Sequence, residues 1–159
     1  SLSFWTLGSL GGASWVAVAV MAGALAGVGL CLGPLARALN ALALGEAAAR
    51  HVGIDVQRLR AAVIVVIALL SALAVSWCGV IAFIGLVAPH LVRVVLGPDQ
   101  RRVLPLAMAT GALLLLLADT VARTVAMPAE IPVGIFTSMI GAPVFLIMLR
   151  GLSRLGANA

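Results

Sequence analysis

The chain has 159 residues, of which 64% are apolar and only 9% are charged, and ten arginines against five acids give a net charge of +5. A soluble domain carries roughly 25% charged residues, so this composition excludes a globule that faces only water. It predicts an all-α bundle of transmembrane helices, and the length allows about five spans at roughly 30 residues for each span with its connection. The arginines are scattered between apolar segments and form no basic stripe, which argues against a nucleic-acid partner.

The N-terminal part of the chain predicts one span after a polar, glycine-rich start. Residues 1–14 are short on charge and rich in Gly and Ser, and the first apolar run predicts a span over residues 16–36, closed by Arg37. The chain starts with Ser1, and no basic segment precedes an apolar core with a cleavage site. We therefore find no signal peptide in this sequence, and we interpret the chain as a fragment of a longer membrane protein.

Residues 37–60 are the most polar stretch and predict two short capped helices. The first covers residues 46–52, with Glu46 at the end that favours an acid and Arg50 at the end that favours a cation. Gly53 follows it as a left-handed cap, and Asp55 is the expected N-cap of the next helix.

Residues 61–89 contain no charge, and this run of 29 residues would be about 43 Å long as one straight helix. A bilayer core is only about 30 Å thick, so a break is expected around residues 77–79. The predicted spans are residues 61–77 and a short or irregular return helix over residues 80–96. Further spans are predicted over residues 103–122 and 133–149, joined by a loop in which Glu130 acts as a cap.

The arginines predict the orientation of these spans. With the five predicted spans, nine of the ten arginines fall on one side, which the positive-inside rule assigns to the cytoplasm. Residues 37–60, 97–102 and 150–159 are then cytoplasmic, the N-terminus is outside and the C-terminus is inside. Arg123 is the exception and lies outside, four residues after Asp119.

The sequence contains no motif that indicates an enzyme. The sequence has no GxxxxGK[ST] phosphate loop, no HExxH zinc helix and no GxSxG nucleophile motif. No acid lies in the middle of a span, where a proton or ion relay would need one. We therefore expect no catalytic residue, no metal site and no cofactor, and transport, channel or anchoring roles remain.

Six separate strings resemble one family of membrane proteins. They are LNALALGEAAARHVGI (39–54), FIGLVAPHLVR (83–93), GPDQRRVLP (97–105), LLLADTVAR (115–123), EIPVGI (130–135) and IGAPVFLIML (140–149). In order and spacing they closely resemble the FecCD-type permeases, the membrane subunits of ABC importers for iron-siderophores, haem and cobalamin. The resemblance covers essentially the whole chain and implies a single permease domain over residues 1–159.

The resemblance implies an assembly as well as a fold. Complete members have about ten spans, and the chain is similar to their C-terminal half, helices six to ten, in the cell inner (plasma) membrane. The implied partners are two ATPase subunits on separate chains, a periplasmic substrate-binding protein and a second permease copy in a homodimer, all within the lipid bilayer or at its surfaces.

Two sets of residues take roles from the resemblance. Gly45, Glu46, Ala47, Ala48, Ala49, Arg50 and Gly53 match the cytoplasmic coupling region, which fits a cleft in the ATPase subunit; the alternative is an ordinary solvated loop helix. Arg123 matches a docking charge for an acidic residue of the binding protein; the alternative is a local ion pair with Asp119.

Two other classes of protein stay open on the sequence. A secondary transporter would also have broken helices interrupted by Gly and Pro, but it would need no capped cytoplasmic helix and no ATPase partner. A passive channel would conduct without nucleotide and would need polar pore-lining residues, which are scarce here.

Overall fold

The computed structural model describes residues 2–125, 127–129 and 131–156, with the side chains of residues 3–5 and 152–156 left aside. Within these ranges the regular structure is entirely helical, which confirms the predicted all-α bundle. The helices are α1 (Leu2–Leu7), α2 (Trp15–Ala43), α3 (Glu46–His51), α4 (Val56–Cys78), α5 (Ile84–Leu96), α6 (Gln100–Val125) and α7 (Val133–Gly156). Glu130, the predicted loop cap, and residues 157–159 of the predicted C-terminal tail lie outside the described residues.

Four of these helices, α2, α4, α6 and α7, are long and apolar enough to cross a bilayer. The fifth, α5, has 13 residues and is therefore about 20 Å long, shorter than a hydrocarbon core of about 30 Å. Large apolar side chains such as Leu30, Ile64 and Leu116 are exposed along the long helices. Such surfaces need lipid or another protein segment around them, as the composition predicts.

Most span boundaries lie further out than the sequence predicted. α2 continues to Ala43 although the predicted span ended at residue 36, and α4 begins at Val56 although the predicted span began at residue 61. The same holds for α6 and α7. A charged residue ends the apolar run but does not end the helix, because helix-favouring residues continue beyond it into the headgroup layer.

The predicted span over residues 80–96 is wrong in its first part. α4 ends at Cys78 with Gly79 at φ 70°, which confirms the predicted break, but α5 begins only at Ile84. Residues 79–83 are not helical. Phe83, which precedes α5, has φ 66°, a left-handed conformation that is uncommon for a residue other than glycine. Residues 79–83 are called the non-helical segment below.

Glycines on neighbouring elements make room for the non-helical segment. A Cβ at Gly8 would lie 2.6 Å from the carbonyl oxygen of Val80, and a Cβ at Gly134 would overlap the carbonyl of Leu7. A Cβ at Gly141 would overlap the side chain of Phe83. The chain therefore enters the bundle between α1 and α7 because these positions lack side chains.

Contacts between helix ends define two distinct ends of the described bundle. At one end, Asn40 near the end of α2 contacts Gln100 at the start of α6. At the other, Val133 at the start of α7 packs against Ala118 and Ala122 near the end of α6. The first is called the arginine-rich end, since the helix directions bring nine arginine positions to it: 37, 50, 58, 60, 93, 101, 102, 150 and 154. The second is called the Arg123 end.

Burial divides the described structure into two regions. α5 packs against α6 and α7, and α6 packs against α7; these three helices and the non-helical segment are called the packed region. α2, α3 and α4 contact one another and are called the α2–α4 arm, and α2 also packs against α6. In the packed region buried positions recur along the helices, whereas α4 buries only Val56. Apart from glycines, the buried residues of the packed region are Val87, Ala88, Val92, Val103, Ala118, Ala122, Val133 and Thr137.

Candidate functional site

Two glycines and a capped turn define the conformation of α3 at the arginine-rich end. Gly45, the N-cap, has φ 110° and ψ 154°, a combination that is essentially restricted to glycine. At the other end, Gly53 has φ 82°, its N–H donates to the carbonyl of Arg50 at 2.9 Å, and the Ile54 N–H donates to the carbonyl of Ala49 at 3.0 Å. This pair of hydrogen bonds is a Schellman motif. The predicted left-handed conformation of Gly53 is confirmed.

The three consecutive alanines of α3 do not share one face. Ala49 is fully buried with 0% exposure, Ala48 is half-buried and Ala47 is exposed. Successive residues of a helix are turned by about 100°, so one alanine of the three anchors α3 against its neighbours. Among the predicted coupling residues, the exposed ones are Gly45, Glu46, Ala47, Arg50 and Gly53.

Glu46 joins α3 to the long helix that follows. Its carboxylate lies 3.5 Å from Arg50 within α3, and it also accepts a hydrogen bond from Arg60 on α4. The sequence pointed to Arg50 through the spacing of four residues, but it gave no signal for Arg60, 14 residues away. Because Glu46 contacts both helices, α3 is attached to α4 by a side chain as well as by the connecting backbone.

Asp55 begins α4, as predicted. Its carboxylate accepts hydrogen bonds from the backbone N–H groups of Gln57 at 3.1 Å and Arg58 at 3.2 Å. These two donors have no partner inside the helix, which is why an acid is favoured at this position. The turn between α3 and α4 is thus fixed at both sides, by Gly53 and by Asp55.

Asn40 connects α2 to the start of α6. Its side-chain oxygen accepts from the backbone N–H of Gln100 at 2.9 Å, and its side-chain nitrogen donates to the carboxylate of Asp99 at 2.7 Å. The same carboxylate oxygen accepts the N–H of Arg101 at 3.1 Å. Asn40 and Asp99 therefore cap α6 together, and this contact is called the Asn40–Asp99 clasp. No local sequence pattern indicates this contact, since the two residues are 59 positions apart.

The clasp stabilises the ionised carboxylate of Asp99. The hydrogen bond from Asn40, followed by that from the Arg101 N–H, lowers the pKa of Asp99 below its ordinary value. A lowered pKa in the folded state means that the contact contributes fully above the ordinary carboxyl pKa of about 3.9. Its contribution is lost only as the pH falls through the lower folded value. The clasp is thus intact throughout the neutral range.

At the Arg123 end, an ion pair borders a cavity. Arg123 Nε lies 2.8 Å from Asp119 Oδ2, the side chain of Arg123 is 56% exposed and that of Asp119 is 17% exposed. The local pair that the sequence suggested is therefore present. The two side chains line a cavity of about 320 Å³ together with Ser9, Gly11, Ala122, Met127, Pro128, Ala129, Ile131 and Val133. More than half of the Arg123 side chain thus remains exposed beside this cavity.

The predicted site residues thus fall into two groups at opposite ends. Residues from Gly45 to Gly53 form one compact segment at the arginine-rich end, and Arg123 lies at the other end. Among the described residues no group of three His, Cys, Asp or Glu side chains is arranged to hold a metal ion. The long apolar helices, the short helix entered through a non-helical segment and the capped connector define a multi-pass α-helical membrane protein.

Comparison with known proteins identifies the family. The FecCD transport family matches residues 1–151, and the chain belongs to this family. It is 47% identical over 148 residues to the hemin transport system permease protein HmuU of Yersinia pestis, covering 92% of this chain and 44% of that protein. It is 43% identical over 151 residues to the vitamin B12 import system permease protein BtuC of Vibrio vulnificus, covering 93% of this chain and 44% of that protein.

A solved structure shows the same fold. A putative metal-chelate type ABC transporter in an inward-facing conformation matches with a TM-score of 0.82 and 35% sequence identity, over 94% of this chain and 48% of that one. The chain therefore spans about half the length of the proteins that it matches. The family predicted from the six strings is confirmed, and so is the membrane-bundle fold.

Proposed function

We propose that the chain is the membrane-spanning permease part of a binding-protein-dependent ABC importer in the cell inner (plasma) membrane. Its substrate class would be an iron-siderophore, haem or cobalamin-type molecule, since the printed names of its relatives refer to hemin, vitamin B12 and iron(3+)-hydroxamate. ATP hydrolysis takes place on two separate ATPase subunits. A periplasmic binding protein delivers the substrate, and a second permease copy completes a homodimer.

The observation that carries this proposal is the construction of α3. A connector that passes force between subunits has to be rigid and firmly joined to the spans that it moves. α3 has a glycine-restricted conformation at each side, a fully buried alanine and a carboxylate joined to α4. A displacement of its exposed face would therefore be passed on to α2 and α4 without being absorbed by a flexible loop.

The orientation is part of the proposal. The clustering of nine arginine positions at one end supports a cytoplasmic location for residues 37–60, 97–102 and 150–159. Residues 124–132 and the N-terminus would then be periplasmic. Single cysteines at the exposed positions Leu44 and Ala129, with Cys31 and Cys78 replaced, test this with a membrane-impermeant maleimide: only the cysteine at 129 should react from outside, and labelling at 44 would reverse the orientation.

Arg123 is the proposed docking charge for the binding protein. More than half of its side chain is exposed although Asp119 holds one side of the guanidinium. The neighbouring cavity offers a recess beside this charge, where an acidic side chain of a partner could enter. The local ion pair orients the guanidinium and leaves its remaining N–H donors free for such a partner.

Ala47→Trp tests the coupling role of α3. In the complete permease with its ATPase subunits, reconstituted in proteoliposomes, this exposed bulky side chain should abolish the ATP hydrolysis that the loaded binding protein stimulates. Ala47→Ser, which keeps the side chain small, is the matched control and should retain it. Copurification of the ATPase subunits separates a failure of coupling from a failure of assembly.

The same proteoliposome assay, run with and without the ATPase subunits, decides between classes of transporter. If the Ala47→Trp permease assembles, hydrolyses ATP and takes up substrate like the parent, α3 is only a connecting loop. If uptake proceeds without any ATPase subunit, the protein is a secondary transporter or a channel, and the whole proposal fails.

A further inference from the structure

A cleft between α2 and α6 at the arginine-rich end is separate from both groups of site residues. It has a volume of about 190 Å³ and lies between the C-terminal part of α2 and the first turns of α6. Its lining includes Leu32, Gly33 and Arg37 from α2 and Arg101, Leu104 and Pro105 from α6. A Cβ at Gly33 would meet no atom within 4 Å, so the α2 wall is open at this point.

The two walls of the cleft have the same order of polarity. On α2, Arg37 lies one turn beyond Gly33, towards the arginine-rich end. On α6, Arg101 lies about one turn nearer to that end than Leu104 and Pro105. One turn is about 5.4 Å. The cleft therefore carries two guanidinium groups at its outer rim and apolar side chains directly below them.

The two arginines are not neutralised by salt bridges. Among the described residues the salt bridges involve Arg50, Arg58, Arg60 and Arg123, and neither Arg37 nor Arg101 takes part in one. Asp99 lies two residues before Arg101; its carboxylate accepts hydrogen bonds from the Asn40 amide and the Arg101 backbone N–H, and the charges of Arg101 and Arg102 also act on it. Arg102 adds a further positive charge beside it. The rim is thus predominantly positive, which favours binding of an anion.

The first backbone N–H groups of α6 are not available to bind this anion. The N–H of Gln100 donates to Asn40 and that of Arg101 to the Asp99 side chain. Those of Arg102 and Val103 donate to the Asp99 carbonyl. With these four donors already used, an anion at the rim has to be held by the guanidinium groups themselves.

The depth of the cleft indicates which anion is available. Arg37 follows Trp15, the first residue of α2, by 22 residues, which is about 33 Å along the helix. The hydrocarbon core is about 30 Å thick, so a bilayer around α2 puts Arg37 at the headgroup layer and Leu32 and Gly33 among the acyl chains. Basic pockets between transmembrane helices at this level suit anionic lipids.

We propose that this cleft binds one anionic phospholipid, with its phosphate between Arg37 and Arg101 and an acyl chain along Gly33 and Leu104. The arrangement matches the chemistry of a phospholipid in both parts, charge at the rim and hydrocarbon below. A bound lipid would fill space between α2 and α6 and add negative charge where Arg37, Arg101 and Arg102 outnumber the neighbouring Asp99.

The test uses the complete permease, delipidated in a neutral detergent and titrated with phosphatidylglycerol, phosphatidylcholine or inorganic phosphate. Retained lipid is counted by native mass spectrometry, and thermal unfolding is followed in parallel. The parent should bind phosphatidylglycerol in preference to phosphatidylcholine and should be stabilised by it. The double variant Arg37→Gln/Arg101→Gln should lose affinity for phosphatidylglycerol by about an order of magnitude or more.

Two further variants test whether the effect is specific to the cleft. Arg58→Gln/Arg93→Gln removes the same charge at the same end outside the cleft and should bind phosphatidylglycerol like the parent. Gly33→Leu keeps every charge and fills the open α2 wall, so it should weaken lipid retention without loss of folding.

Three results would overturn the proposal. One is equal binding of phosphatidylglycerol by the parent and by Arg37→Gln/Arg101→Gln, which is also the result if another segment of the complete permease covers the cleft. Another is equal retention of phosphatidylglycerol and phosphatidylcholine by the parent. The third is stabilisation by inorganic phosphate as strong as that by the lipid, which would make the occupant a soluble anion.

Discussion

The packed region and the α2–α4 arm hold their shapes in different ways. In the packed region, α5, α6 and α7 bury small residues, and Gly134 and Gly141 of α7 lie so close to the Leu7 backbone and the Phe83 side chain that a Cβ at either would overlap them. In the arm, α4 buries only Val56, and the connector α3 takes its form from glycines, a Schellman turn and an aspartate cap. The packed region therefore depends on contacts distant in sequence, and the turns at the two ends of α3 depend on local ones.

This difference indicates that the two regions have different roles in the proposed importer. A region with closely interlocked backbones resists deformation, because protein interiors are packed too densely to yield gradually. A long helix with few internal contacts, attached to a rigid connector, can move as a unit. We expect substitutions in the packed region to affect folding and substitutions in the connector to affect coupling.

The largest effect is expected from Gly134→Ala in the packed region. Its Cβ would overlap the backbone carbonyl of Leu7, and backbone cannot move aside as a flexible side chain can. Overpacking costs typically about 1–3 kcal/mol and sometimes more, so the permease should lose much of its stability or fail to fold. Thermal unfolding and the yield of monodisperse protein measure this.

Gly111→Ala is the matched control for Gly134→Ala. Gly111 lies on α6 in the same region, but its Cβ would be 3.6 Å from Ala88 and from Ile84, an ordinary contact. This variant should be as stable as the parent or slightly more stable, since alanine favours a helix over glycine. Equal stability of the two alanine variants would contradict the close backbone contact at Gly134.

Gly53→Val should separate folding from coupling in the arm. A β-branched residue at φ 82° is strained by about 1–2 kcal/mol, but no atom lies within 4 Å of the new Cβ. The protein should fold and bind its ATPase subunits yet lose binding-protein-stimulated ATP hydrolysis. Gly12→Val, also in open space but without a positive φ, should keep that activity; equal activity of both variants would remove Gly53 from the coupling role.

Asn40→Ala tests the Asn40–Asp99 clasp, which, among the described residues, joins α2 to the start of α6 by side-chain hydrogen bonds. The substitution leaves the N–H of Gln100 without its acceptor and should lower the melting temperature by about 2–4 °C. Asp99→Asn keeps an oxygen acceptor for both Asn40 and the Arg101 N–H and should have a smaller effect. If Asp99→Asn were the more damaging change, charge at Asp99 and not the clasp would matter.

The smallest effect is expected at the Arg123 end. Exposed charge pairs contribute about 0.2–1 kcal/mol each, so Arg123→Glu should weaken docking of the loaded binding protein several-fold at low salt and less at high salt. Asp119→Asn removes the local ion pair but keeps the cation, and docking should persist. If the dissociation constant of Arg123→Glu is unchanged at low salt, Arg123 has no docking role and only forms the local ion pair with Asp119.

The sequence by itself determined the features that depend on composition or on neighbours in the chain. The scarcity of charge required a membrane bundle. The φ of Gly53, the cap at Asp55, the helix break after Cys78 and the Asp119–Arg123 pair are all local, because each needs only residues within a few positions. The family also followed from short strings, and the match over residues 1–151 confirms it.

Only the tertiary structure decided which contacts form between segments that are distant in sequence. The apolar sequence of residues 80–83 does not distinguish a helix from an extended segment, and the choice depends on Gly8 and Gly141, where a Cβ would come too close to Val80 or Phe83. Likewise, the partner of Asn40 lies 59 residues away and the second partner of Glu46 lies 14 residues away. Hydrophobicity selects the environment of a segment, but steric fit and hydrogen-bond geometry between segments select its conformation, and these exist only once the helices have packed.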